Sequence, residues 1–215
     1  MESHHPTKKE LVTAFRTREI LAAAHRLMER RGVEQVTMEE IAQAAGVAKG
    51  TIYLYFQGKD ELMRALLAQV GEAMAADLEA VLALDCSHRD KLAKTVTVLM
   101  EYVNRERLLF PIYLRELVQA KASRGSRAQS FQNLEERIIG LITRLFAEGM
   151  AAGEFLPGNP RLLAYLLKGL VRAVGYFHLT EGSNGVLPDT VHTVQTLLFS
   201  GLLKPGADPP AGGVG

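Results

Sequence analysis

A single cysteine, Cys86, in 215 residues excludes an intramolecular disulfide. That usage suits a reducing cytoplasm. Net charge is almost absent: 25 Lys and Arg against 24 Asp and Glu leave +1 for the chain, and nine against eight leave +1 for the first 60 residues. Any affinity for nucleic acid must therefore come from local placement and not from a bulk basic footprint. No uninterrupted apolar run reaches the roughly 18 residues of a membrane span. The N-terminus MESHHPTKKE lacks the apolar core of a secretory signal, so the expected location is the cytoplasm. Strand-like alternation is also nearly missing. Apolar positions recur at helical spacing from about Arg16 to Leu203, which predicts an all-α chain of about nine helices.

Signatures of catalysis are equally sparse. No helical segment carries the Glu-x-x-His pair of carboxylate-bridged metal enzymes. GVAKGT has its lysine, glycine and threonine in the wrong order for a phosphate loop. Asp85, Cys86 and His88 sit together at a helix junction, where capping by Asp85 or Ser87 accounts for them better than a metal site does. His4 and His5 lie in an end segment with no further ligand nearby in sequence. Neither an enzyme nor a metal or cofactor site is expected.

What the chain does have is TMEEIAQAAGVAKGTIYLYFQGKDELMRALL, Thr37 to Leu67. Thr37 and Glu40 have the spacing of a capping box. Met38, Ile41, Ala42 and Ala45 share one helical face, and Gly46 can take the left-handed conformation that ends one helix and starts another at a steep angle. The following helix, about Ala48 to Phe56, is too short to stand alone. Its Ile52 and Phe56 should point to a core, which leaves Lys49, Gly50, Thr51, Tyr53 and Tyr55 for groove and phosphate contacts. Lys59 opens the next helix, where unpaired amides already favour an anion. Lys8, Lys9, Arg16 and Arg18 precede or begin the first helix and read as an arm that approaches the duplex.

Over Arg18 to Leu67 the chain resembles the DNA-binding domain of the tetracycline-repressor (TetR) family of bacterial regulators. The resemblance is carried in order by ILAAAHRLMERRG, VTMEEIAQAAGV and AKGTIYLYFQGKDELMRALL. It departs from the family pattern at Ala48 and Gly58, where many relatives have a small hydroxyl residue, and at Leu54, which offers no hydrogen bond but can meet a thymine methyl. The resemblance implies a helix-turn-helix domain followed by a larger helical domain for ligand binding and dimerisation. The expected bounds are an arm at 1–15, the DNA-binding domain at 16–62, the ligand-binding and dimerisation domain at 63–203, and a disordered tail at 204–215. Thr37, Lys49, Gly50, Thr51, Tyr53, Tyr55 and Lys59 are the expected DNA contacts.

Helical patterns continue to about Leu84, then over about 89–105, 111–120, 129–152, 160–179 and 188–203, with KASRGSRA as a basic loop. The last two helices are apolar around much of their circumference, so pairing with a second copy is expected. Within the helical domain Met100, Tyr102, Phe110, Tyr113, Arg115, Phe146, Tyr165, Arg172 and Tyr176 are candidates to line a cavity for a small, hydrophobic effector. Arg115 and Arg172 each need an anionic partner or an exit to solvent, and Glu116 or Glu148 would satisfy them without any ligand. The resulting expectation is a dimeric repressor that binds a near-palindromic operator and is released by an effector. The alternatives are an activator or corepressor-dependent regulator and, from another class, a helical ligand-binding or interaction module that does not engage DNA.

Overall fold

A computed structural model describes residues 7–122, 126–181 and 188–200, with side chains described outside 120–128 and 188–189. The expected tail at 204–215, the break at 182–187 and the side chains of the basic loop lie outside the described residues. Among the described residues every element is an α-helix: α1 (Lys8–Arg31), α2 (Met38–Ala44), α3 (Lys49–Tyr55), α4 (Lys59–Leu82), α5 (His88–Arg105), α6 (Phe110–Ala122), α7 (Ser126–Ala151), α8 (Pro160–Thr180) and α9 (Pro188–Ser200).

The first helix begins at Lys8, about eight residues ahead of the Arg16 start that the periodicity predicts. Thr7 caps it: its hydroxyl accepts from the Glu10 amide at 3.3 Å, and the Glu10 carboxylate takes the Thr7 amide at 2.6 Å. This reciprocal pairing satisfies amides that a helix start leaves open, so Lys8 onward is helix and not an arm. Lys8, Lys9, Arg16 and Arg18 are consequently exposed positions on α1, with Arg16 paired to Glu19 at 3.0 Å. Gly32 at φ 82° ends α1, and Gly46 at φ 66° makes the turn after α2. Ser87, not Asp85, caps α5 by accepting from the Asp90 amide.

The chain divides into two compact units whose boundary falls inside α4 and inside α7. The first holds the described residues up to Ala73 with Leu108–Glu135, and so includes α6 with the helix-turn-helix where a boundary at residue 62 was expected. Its core joins Ile20, Met28, Ile41, Ile52, Phe56, Leu62, Met63 and Leu66 to Leu109 and Ile112. Burying side chains of this size contributes about 1.5–3 kcal/mol each, which is how two seven-residue helices are held in place. The second unit holds Met74–Arg107 and the described residues from Glu136 onward. Leu78, Leu99, Met100, Ile142, Leu145 and Leu167 are fully buried there.

Helix α8 has 21 residues and a mean hydropathy of 1.3 over its most apolar stretch, enough by length and composition to cross a membrane. Lys168 and Arg172 interrupt its apolar positions, so the sequence alone shows no continuous run of that length. One side of α8 is buried through Ala164, Leu167, Lys168, Val171 and Gly175. The other exposes Leu162 and Leu166, each 55% accessible, with Tyr176 and Phe177 further along the same helix. An apolar stripe on one face of a half-buried helix is the pattern of a protein contact, whereas lipid would demand apolar surface all round.

Candidate nucleic-acid interface

Helix α2 is set by the expected capping box. The Thr37 hydroxyl donates to the Glu40 carboxylate at 3.0 Å and accepts from the Glu40 amide at 3.3 Å, while the Thr37 amide donates to Glu40 at 2.9 Å. Arg31 adds a 2.7 Å pair to the same carboxylate. The backbone amide of Thr37, then Arg31, then the Thr37 hydroxyl hold Glu40 down to a pKa of about 2. Thr37 thus acts first as a structural cap on the exposed edge of α2.

Helix α3 has no such cap, since Ala48 stands at its start without a side-chain hydrogen bond. It is anchored instead from one face, where Ile52 is fully buried and Phe56 nearly so. The opposite face carries Lys49, Gly50 and Tyr53, with Leu54 84% exposed. Nothing lies within 4 Å of a Cβ built on Gly50, so the backbone there is open to a close approach. Thr51 is half-buried at the edge of this face. Tyr55 is also half-buried and packs against the core, which turns it further inward than Tyr53. Lys59 lies at the start of α4 with its Nζ 3.4 Å from the Glu34 carbonyl.

Glu39 of α2 joins this edge, a position that spacing along the sequence does not single out. Its Oε1 lies 2.9 Å from Lys49 Nζ. That hydrogen bond holds the Glu39 carboxyl below the usual range, aided by its own backbone and by Tyr53, and raises Lys49 in turn. The ten-residue separation across a turn hid the pair from any helical-spacing rule.

The nine candidate effector residues are divided between the two units. Phe110, Tyr113 and Arg115 belong to the first unit, and Met100, Tyr102, Phe146, Tyr165, Arg172 and Tyr176 to the second. Met100 and Phe146 are buried core, with Phe146 against Phe155 at 5.8 Å. The Tyr102 hydroxyl donates to Asp77 at 2.7 Å, and Tyr165 and Tyr176 are exposed on α8. Arg115 reaches Asp60 at 3.4 Å and Glu116 at 3.9 Å, so its partners are internal. A cavity of about 300 Å³ does occur in the first unit, lined by Glu61, Arg64, Ala65, Leu67, Ala68, Glu72, Glu116, Ser130, Phe131 and Leu134. None of the nine lines it. Among the described residues no cluster of His, Cys, Asp and Glu is arranged to hold a metal ion.

Comparison with known proteins places two family models on the chain. Residues 20–66 match the model for bacterial regulatory proteins of the tetR family, and residues 85–183 match the tetracyclin repressor-like C-terminal domain. An uncharacterised HTH-type transcriptional regulator of Bacillus subtilis, YhgD, is 25% identical over 150 residues, covering 69% of this chain and 76% of its own. A TetR/AcrR-family transcriptional regulator from Thermobifida fusca superposes with a TM-score of 0.74 at 21% identity, over 88% of this chain and 99% of its own. FadR from Bacillus subtilis, solved with stearoyl-CoA, has a TM-score of 0.63 at 23% identity, over 86% and 98%.

Proposed function

Because the chain belongs to the TetR family of helix-turn-helix transcriptional regulators, we propose that it represses transcription as a homodimer on a near-palindromic operator and lets go when a small molecule binds its helical part. The observation that carries the reading is α3 itself: a helix anchored through Ile52 and Phe56 that offers Lys49, Gly50, Tyr53 and Leu54 to solvent. That face has a cation and a phenol for phosphate, an open backbone for close approach and an apolar side chain for a thymine methyl. Thr51 completes the base-facing set. Lys59, Tyr55 and the exposed edge at Thr37 are the flanking contacts to the backbone.

Two copies are needed, since one short helix reads too few bases. The exposed stripe on α8, Leu162 and Leu166 with Tyr176 and Phe177, supports pairing through the last two helices. Such a dimer sets two recognition helices about 34–36 Å apart, one turn of the duplex. The protein then works on chromosomal DNA in the cytoplasm by occupying a promoter.

Incubating the purified protein with a random double-stranded DNA library and sequencing what it retains tests the reading. A near-palindrome is expected. Retention of no motif by folded protein at low salt would leave the α3 face without its assigned role and favour a helical interaction module.

A further inference from the structure

We propose that the cavity of the first unit is a binding site for a small organic cation with an apolar body, and that this cation is the effector of the regulator. The inference rests on the regulatory reading above and gives it a ligand class. At about 300 Å³ the cavity stands at the small end of ligand pockets, which run from roughly 300 to 1,000 Å³. Its walls combine apolar side chains with three carboxylates, Glu61, Glu72 and Glu116, against one guanidinium, Arg64. Even with Arg115, 3.9 Å from Glu116, counted beside Arg64, carboxylates outnumber guanidiniums by three to two, a balance that favours a cation over an anion.

Glu116 is the pointed member of this set. Its side chain is only 12% exposed. Its Oε1 is buried without a hydrogen-bond partner, and the nearest cationic atoms, Arg115 Nε at 3.9 Å and Arg64 Nη1 at 4.0 Å, are beyond hydrogen-bond reach. A desolvated carboxylate with an unfilled acceptor is costly in a resting protein, and an ammonium or amidinium group would fill it with a charge-assisted bond. Phe131 supplies an aromatic wall on which the same cation can rest. Leu134 closes the wall against α4, where a Cβ on Gly71 would stand 2.5 Å from its Cδ2.

The location gives such a ligand mechanical purchase. Glu61, Arg64 and Glu72 are on α4, and the same helix buries Leu62, Met63 and Leu66 in the core that holds Ile52 and Phe56. A molecule seated on one face of α4 therefore acts on a helix whose other face positions α3. Displacement of α4 by the ligand shifts the recognition helix without any longer relay.

Calorimetric titration of the full-length protein with a matched pair, 4-phenylbutylammonium and 4-phenylbutanoate, isolates the charge. The cation should bind at least tenfold more tightly than the anion. Glu116→Gln, and separately the more exposed Glu72→Gln, should each weaken the cation severalfold with melting temperature unchanged, so that the second remains informative if the first fails to fold. Equal or tighter binding of the anion, or cation affinity indifferent to both variants, overturns the proposal. Operator retention without ligand is scored in parallel. Protein that retains a palindrome but ignores the cation sinks the cavity assignment alone. Protein that binds the cation but retains no DNA supports the site and sinks the regulatory reading.

Discussion

Lys49 at the start of α3 is held by Glu39 of α2, with Nζ 2.9 Å from Oε1 and both side chains facing solvent. Helix α3 thus carries its one lysine already paired to a carboxylate, which would compete with a phosphate for it.

Replacing Glu39 with Gln removes a negative charge from the DNA-facing edge and frees the lysine. Affinity for DNA of any sequence should rise severalfold, and the dependence of log K on log salt should steepen by about one phosphate contact, near 0.9 in slope. Gel-shift titrations across a salt series measure both. Unchanged affinity and slope would mean that the pair plays no part in binding.

Lys59→Ala and Tyr53→Phe should weaken binding at all sites, because both groups are assigned to phosphate, and Lys59→Ala should also flatten the salt dependence. Changes at Thr51 or Leu54 should instead alter which sites are preferred in the library selection. A Lys59→Ala protein with wild-type affinity and salt slope would strike that residue from the contacts.

Ile52 and Leu54 are two residues apart on α3 but face opposite ways, buried and 84% exposed. Ile52→Ala should cost about 2–5 kcal/mol of stability. Leu54→Ala should stay within about 0.5 kcal/mol while reducing operator affinity. Urea denaturation beside gel shifts separates the two, and a destabilised Leu54→Ala would contradict the orientation of the helix.

The Thr37 cap has a pH signature. Glu40 is depressed from 4.5 to about 2 in the folded protein, so its stabilisation is present above the ordinary carboxylate value and is lost as pH falls from about 4.5 toward 2. The stability gap between wild type and Glu40→Gln should therefore be clear near pH 7 and shrink near pH 3. A gap that does not change with pH would refute the cap's ionic character. Thr37→Ala should cost about 1 kcal/mol.

Leu162→Glu with Leu166→Glu places charge on the exposed stripe of α8 and should yield a folded monomer by sedimentation, with operator affinity reduced far more than for any single contact variant. A dimer that survives both changes would move the interface elsewhere.

The DNA-reading half was legible because its signals are local. Thr37 and Glu40, Gly46, and the Ile52 and Phe56 spacing each act within a few residues, and each is found in the structure where chemistry required it. The same kind of signal at Thr7 and Glu10 lies ahead of the apolar periodicity, which starts only near Arg16, so it does not stand out as a helix start. The effector candidates fared differently. An aromatic on a helical stripe looks the same whether it faces a cavity, a neighbour such as Phe155, or a carboxylate such as Asp77, and only the fold tells these apart.

By itself, then, the sequence determined an all-helical chain, a helix-turn-helix with its inward and outward faces, and an apolar pair of C-terminal helices, since helix period, capping and turn chemistry depend on near neighbours along the chain. Tertiary structure alone decided that Lys49 meets Glu39, that α6 joins the core beneath the recognition helix, and that Glu61, Glu72 and Glu116 line one cavity. Those contacts join residues from different helices, and no spacing rule spans a distance that only the packing of side chains defines.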